Sequence, residues 1–316
     1  MKNHSLYIHK NLPQMYQLDV DKFNTLYLEV SGNPSGIPII FFHGGPGGQC
    51  RSEHHSLFNP SIFRSIIYDQ RGTGKSTPFR SLKNNDTDSL IEDVEKIRKF
   101  LNIDKLFLVG GSWGATLALL YAQTYPENTR GIVLRSVFLG TKEEIDWAFV
   151  KGPQYFAPDL YKSFVGYLNN EEKKDVINSY IKRIHDEEST FHSWIWHDYE
   201  RILSQLDPQQ YFFDSKKDIM RRKGKPNSPF METHYIKNNF FIEDNQIIKN
   251  MSKITNIPGI IIQGRYDLIC PPKSAFAISD KWNKSKIKIL NTAGHSSSDN
   301  GIIENLVESI EEIKEC

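Results

Sequence analysis

The stretch Leu106-Phe107-Leu108-Val109-Gly110-Gly111-Ser112-Trp113-Gly114-Ala115-Thr116-Leu117 leaves this chain few folds to choose from. Four apolar residues read as a buried strand and Ala115 to Ala122 as a helix. Between them runs Gly110-Gly111-Ser112-Trp113-Gly114, a G-x-S-x-G pattern. A strand that turns into a helix this tightly forces Ser112 into strained backbone angles, and a side chain at Gly110 or Gly114 would collide with the neighbouring element. The turn exposes the Ser112 hydroxyl at the carboxyl edge of a sheet, with a helix N-terminus behind it. That dipole and its free N–H groups favour negative charge, as on an oxyanion. A glycine-rich turn holding nothing reactive would show the same pattern, so the partner residues decide.

A chain of 316 residues can bury a large core as one big domain or two modest ones. Lys+Arg of 39 against Asp+Glu of 38 gives no reason to expect a nucleic-acid partner. The cysteines, Cys50, Cys270 and Cys316, are odd in number and make no disulfide framework. Met1-Lys2-Asn3-His4-Ser5 lacks an apolar signal segment, and no run of about 18 apolar residues occurs. The expectation is a soluble cytoplasmic protein without membrane association. Composition carries no signal of oligomeric state.

Taken in order, Thr25 to Val30 and Ile37 to Phe42 read as strands, the second ending in His43-Gly44-Gly45-Pro46-Gly47-Gly48. So many glycines after a strand allow backbone N–H groups to point at a ligand. Phe63 to Tyr68 is a further strand leading into Asp69-Gln70-Arg71-Gly72-Thr73-Gly74-Lys75-Ser76. This is not a phosphate-binding loop, because the position five before Gly74 is Asp69 and not glycine. A structural loop is expected, with Arg71 or Asp69 bracing the neighbouring glycine loop. Leu90 to Leu101 has amphipathic helical spacing, and Gly131 to Leu134 is the next buried strand. Residues 140–251 carry charged, aromatic-rich helical segments, including a basic stretch from Lys216 to Lys225 that reads as a solvated loop. Alternation then resumes with the strands Ile257 to Gly264 and Lys286 to Leu290.

Continuous apolar strands alternating with helices predict an α/β fold with a mostly parallel sheet covered on both faces. Residues 1–139 and 252–316 would form the core domain, and 140–251 a helical cap, or lid, over its carboxyl edge. Two loops just past strand ends supply further chemistry: Arg265-Tyr266-Asp267 and Ala293-Gly294-His295-Ser296. Ser112, Asp267 and His295 follow the chain order Ser…Asp…His of the α/β-hydrolase fold. In that fold one oxyanion donor comes from the residue after the nucleophile, here Trp113, and the other from the glycine loop, here Gly44 with Gly45 the alternative. No metal or cofactor is implied.

The motifs resemble those of the proline iminopeptidases (prolyl aminopeptidases) over nearly the whole chain. His43–Gly48, Asp69–Ser76 and Gly110–Gly114 look like that family's HGGPGG, DQRGxGxS and GGSWG. Gly264-Arg265-Tyr266-Asp267 with Cys270-Pro271, and Ala293–Ser296, look like its GRYD…CP and AGHS. The resemblance implies a serine exopeptidase that releases an N-terminal residue, preferentially proline, from short peptides with a free N-terminus through an acyl-enzyme. Trp196-His197-Asp198-Tyr199-Glu200 and Glu232-Thr233-His234-Tyr235-Ile236 are similar to lid motifs whose carboxylates hold the substrate amine. Glu200 and Glu232 are therefore the expected amine clamp, and Phe138 the ring expected to pack on the proline. Tyr199, Ile236 and Ala148 depart from the family pattern, and a missing ring at Ala148 should widen the residue pocket and weaken proline selection. Two alternatives remain: a broader aminopeptidase or small-substrate esterase or amidase of the same fold, and an inactive hydrolase fold serving as a receptor. Cys270 is expected as a packing thiol near the site.

Overall fold

The computed structural model describes residues 6–315; the Met1–Ser5 start and Cys316 lie outside the described residues. Eight strands, β1 (Gln14–Asp19), β2 (Thr25–Gly32), β3 (Ile37–Phe42), β4 (Phe63–Tyr68), β5 (Leu106–Ser112), β6 (Thr129–Val137), β7 (Gly259–Gly264) and β8 (Ser285–Leu290), form one sheet. Its order is β1-β2-β4-β3-β5-β6-β7-β8. The β1–β2 and β2–β4 pairs are antiparallel, and all later neighbours are parallel. A strand interior to a parallel sheet has both faces covered, so its residues need not alternate. Accordingly β5 is buried from Leu106 to Gly111 and β7 along its whole length. Edge strand β1 was not foreseen, and its QMYQLD sequence is mostly exposed.

Helices cover both faces. Helix α1 (Thr87–Phe100) starts at Asp86, whose carboxylate accepts the Ser89 N–H at 2.8 Å and caps the first turn. Its buried face carries Leu90, Ile91, Val94 and Ile97. Helix α2 (Trp113–Thr124) is buried from Trp113 to Gln123, as an apolar helix between a sheet and a second layer must be. The Pro272–Ser279 helix joins this side, while Ile302–Ile313 packs with Phe107, Val109 and Ile262 on the other. Between β6 and β7 the described chain is helical and adds no strand to the sheet. No helix among the described residues is long and apolar enough to cross a membrane.

The expected brace for the glycine loop falls to Asp69, not Arg71. Asp69 accepts the N–H groups of Cys50 and Lys75, each at 2.7 Å, and so ties the loop's far end to its neighbour. Arg71 turns the other way. Its guanidinium donates to Asp93 at 2.6 and 2.7 Å and to Asp21 at 2.7 Å, fastening the loop to α1 and to the β1–β2 turn. The basic stretch after Lys216 is part helix, Lys216–Ile219, and Arg222 in it pairs with Asp198 and Asp214. Removing Arg71 would strand the buried Asp93 carboxylate. Arg71→Met should cost about 3–5 kcal/mol, read as a lower urea midpoint at unchanged slope, and Arg71→Met with Asp93→Leu should recover much of the loss.

Candidate active site

Strands that run parallel deliver their carboxyl ends to one edge, where the chain must turn. At the end of β5, Ser112 adopts φ 57° and ψ −126°, a conformation rare for any residue with a side chain. A Cβ added at Gly114 would lie 2.2 Å from the Phe42 carbonyl oxygen, so the turn closes against β3 only because that position is glycine. At the end of β3, Gly44 packs beside Ser112, its Cβ direction ending 3.6 Å from the Ser112 Cβ. Gly45 and Pro46 line the same pocket as Ser112. Trp113 opens α2, and N–H groups in a helix's first turn have no intrahelical acceptor.

One residue that sequence reasoning passed over links these two arms. The Gln70 side chain, just past β4, donates to the His43 carbonyl at 2.9 Å and accepts the Trp113 indole N–H at 3.0 Å. Its own backbone N–H donates to His43 Nε2 at 3.1 Å, so the His43 proton is assigned to Nδ1, which donates to the Gly44 carbonyl at 2.9 Å. Burial holds the His43 pKa down to about 4, so this ring stays neutral and acts as a fixed connector.

Asp267 follows β7 and His295 follows β8. The His295 Nδ1 lies 3.0 and 2.9 Å from the two Asp267 carboxylate oxygens. Asp267 also accepts the N–H groups of Ile269 at 3.1 Å and Cys270 at 2.8 Å, which fixes its orientation. Behind the imidazole, the Arg135 guanidinium donates to the His295 carbonyl. The His295 and Ser296 N–H groups donate to the Ser204 carbonyl at 3.1 and 2.8 Å. Ser204 ends the Thr190–Ser204 helix, so the His295 loop is tied to the insertion as well as to the sheet. Among the described residues no hydrogen bond joins Ser112 to His295; the Ser112 hydroxyl sits beside the Cys270 thiol.

Above this edge stand the two glutamates. Glu200 projects from the Thr190–Ser204 helix and Glu232 from the Ser228–Lys237 helix, and both line the Ser112 pocket. The Trp196 indole N–H donates to Glu232 at 2.7 Å, and Glu232 is 5 % exposed. Burial raises the pKa of both carboxyls. Glu232 lies well above the ordinary range because Glu200 is beside it, the two carboxyls sharing a hydrogen bond. Two carboxyls this close in a dry pocket retain a proton between them unless a cation arrives.

The rest of the pocket is apolar: Phe138, Ile145, Ala148, Phe149, Phe240 and Ile269, with Cys270 at the side. Ala148 is a pocket residue, yet the space is not wide. It amounts to about 20 Å³. Phe240 was not foreseen. It meets Phe138 edge-on at 5.0 Å from a left-handed turn in which Asn239, Phe240 and Phe241 have φ of 49°, 54° and 51°. Tyr199, the other departure, is stacked on Phe164 at 3.8 Å within the helical layer, and its hydroxyl donates to the Phe149 carbonyl at 3.2 Å. No cluster of metal-binding side chains occurs among the described residues.

Residues 37–301 match the alpha/beta hydrolase fold family. Solved structures of similar shape include a putative lipase from Acinetobacter baumannii, at TM-score 0.64 and 17 % identity over 96 % of this chain and 92 % of that one. A haloalkane dehalogenase variant from Bradyrhizobium elkanii also scores 0.64, at 15 % identity, covering 96 % of this chain and 99 % of that one. At such identity they speak for the fold alone. Sequence relatives are nearer. A probable proline iminopeptidase from Leptolyngbya boryana is 39 % identical over 94 % of this chain and 92 % of its own. The Arabidopsis thaliana proline iminopeptidase is 37 % identical over 94 % of this chain and 79 % of its own. Full-length similarity at this level, on this sheet, makes the chain a member of the proline iminopeptidase family, aminopeptidase hydrolases of the alpha/beta hydrolase fold.

Proposed function

We propose that the protein is a serine exopeptidase that removes an N-terminal residue, preferentially proline, from short peptides through an acyl-enzyme. One observation carries this reading: Ser112 and the Glu200–Glu232 pair line a single small pocket. In this reading residues 140–251 are a cap domain on a core of 1–139 and 252–316. A substrate ammonium entering between Glu200 and Glu232 displaces their shared proton and supplies the missing positive charge. Phe138, Phe149 and Phe240 then face the side chain of the first residue, and flat rings suit the flat pyrrolidine of proline.

With the amine held, the first carbonyl carbon lies at Ser112. The Ser112 hydroxyl leaves the Cys270 thiol and turns to His295, since such hydrogen bonds tighten when substrate fills the site. His295 Nε2 takes the proton as the Ser112 oxygen attacks, and Asp267 stabilises the imidazolium and keeps its Nδ1 proton in place. The oxyanion receives the N–H groups of Trp113 and Gly44, the latter chosen over Gly45 because Gly44 abuts Ser112. His295 passes its proton to the departing amine, and water, activated by the same ring, then hydrolyses the ester on Ser112.

Three outcomes test this scheme. On purified protein, Glu200→Gln or Glu232→Gln should lower kcat/KM for a free prolyl amide roughly 10–100-fold, the range for losing a charged hydrogen bond. Hydrolysis of a simple ester should be spared and Ser112→Ala inactive toward both. Equal turnover of the N-blocked prolyl amide would instead favour a small-substrate amidase.

Because the glutamate pair has raised pKa values, the clamp loses charge as pH falls, so KM for the free amine should climb toward acid while KM for the ester stays level. The same shift works against folding as pH rises. The folded state holds its proton more tightly than the unfolded chain, so this contribution is complete below about pH 4, the unfolded carboxylate value, and is lost as pH rises through the folded pKa. Glu232→Gln should therefore raise Tm over wild type, by an amount that grows between acid and neutral pH. Gln70→Ala should lower kcat about tenfold with little change in KM, a fraction of what losing an oxyanion donor costs. It should also weaken a peptide aldehyde, whose adduct bears an oxyanion, more than it weakens free proline.

A further inference from the structure

The pocket joining Ser112 to the glutamates holds only about 20 Å³, so it cannot also take the rest of a peptide. A second and much larger groove, of about 940 Å³, borders the same glycine loop. Its floor includes Gly44, which abuts Ser112, together with Gly110 and Gly111. One wall is the segment 47–54, with Arg51 and His54. Trp194 and His197, which precede Glu200 on the same helix, also line the groove. The glycine loop borders both cavities, with Gly45 and Pro46 lining the small acidic one and Gly44, Gly47 and Gly48 the large one.

We infer that this groove receives the portion of the substrate beyond the scissile bond, and that Arg51 binds the C-terminal carboxylate of a short peptide. The inference rests on the amine-clamp reading, which sets the direction of the chain. With the ammonium at Glu200 and Glu232 and the carbonyl at Ser112, the leaving peptide extends away from the glutamates, over Gly44. Arg51 is exposed, and among the described residues no carboxylate lies within ion-pair distance of its guanidinium. Glu53, on the same wall, is also exposed and likewise makes no ion pair among the described residues. It would repel a carboxylate placed nearer to it than to Arg51, which favours one seat for the anion.

His54 does not compete for that role. Burial holds its pKa down to about 4, and its ring packs on Phe41 at 4.7 Å, so it offers a neutral surface. Trp194 is anchored by its indole N–H to the Gly224 carbonyl at 3.3 Å, and His197 meets the Trp194 ring edge-on at 5.6 Å. These rings form an apolar flank along which a peptide lies, while Arg51, the exposed cation of the lining, takes its terminus; Arg135, also in the lining, is held by the His295 carbonyl and the Ser136 hydroxyl. A guanidinium and a carboxylate make a two-pronged pair, which a C-terminal amide cannot reproduce.

The test compares Pro-Xaa and Pro-Xaa-Xaa peptides as free acids and as C-terminal amides, with a proline arylamide as the reference substrate. In wild type at low salt, the acids should exceed the amides roughly tenfold in kcat/KM. That ratio should fall toward one in Arg51→Ala, invert in Arg51→Glu and persist in Arg51→Lys. A wild-type ratio near one, or a ratio unchanged in Arg51→Ala, overturns the assignment. Turnover of the arylamide with no acid preference would sink the groove and leave the clamp standing. Failure of wild type on the arylamide itself would remove the reading beneath both.

Discussion

Everything at the catalytic edge depends on the shared direction of the strands from β3 through β8. Ladder hydrogen bonds hold them parallel, so chain segments as far apart as Gly44 and His295 end on the same edge of the sheet. The entropy of closing such long loops grows only with the logarithm of their length, whereas the sheet adds bonds and buried area with each strand. A nucleophile turn, a carboxylate, an imidazole and a glycine loop therefore need no local sequence relation. Each needs only a strand that ends on time. The collisions awaiting a side chain at Gly110 and Gly114 show how tightly that ending is specified.

The glutamate pair sets the opposite tendency. Two acids in an apolar pocket are unfavourable for folding, and the Trp196 indole relieves only one of them. The fold tolerates them because aromatic packing around the site is dense: Phe149 stacks on Trp196 at 4.2 Å, and Phe164 on Tyr180 at 4.2 Å. Stability lost at the paired acids is offset by this neighbouring packing, the trade expected if, as proposed, the pair must stay complementary to a cation.

Much of this was legible in the sequence, and for a physical reason in each case. Buried parallel strands announce themselves as apolar runs, so β3 to β8 were found with shifts of a few residues at most. Strand β1 escaped because its side chains are mostly exposed and its pattern is weak. Ser112, Asp267, His295, Glu200 and Glu232 were named from motifs, and the structure brings the acids to the Ser112 pocket and the imidazole to Asp267. Phe240 could not be read, since three successive residues in left-handed backbone carry no glycine to mark the turn. Gln70 was seen and set aside as part of a structural loop; its importance lies in touching two distant arms, which spacing along the chain does not express.

The carbonyl of Ser204 accepts both amides that begin the His295 turn, and the helix it ends carries Glu200. Roof and base are thus mechanically one piece. A displacement of that helix would therefore be passed directly to the imidazole loop. The two stretches that the proposed scheme needs to keep in register, one bearing a carboxyl and the other an imidazole, are thus riveted at a single carbonyl.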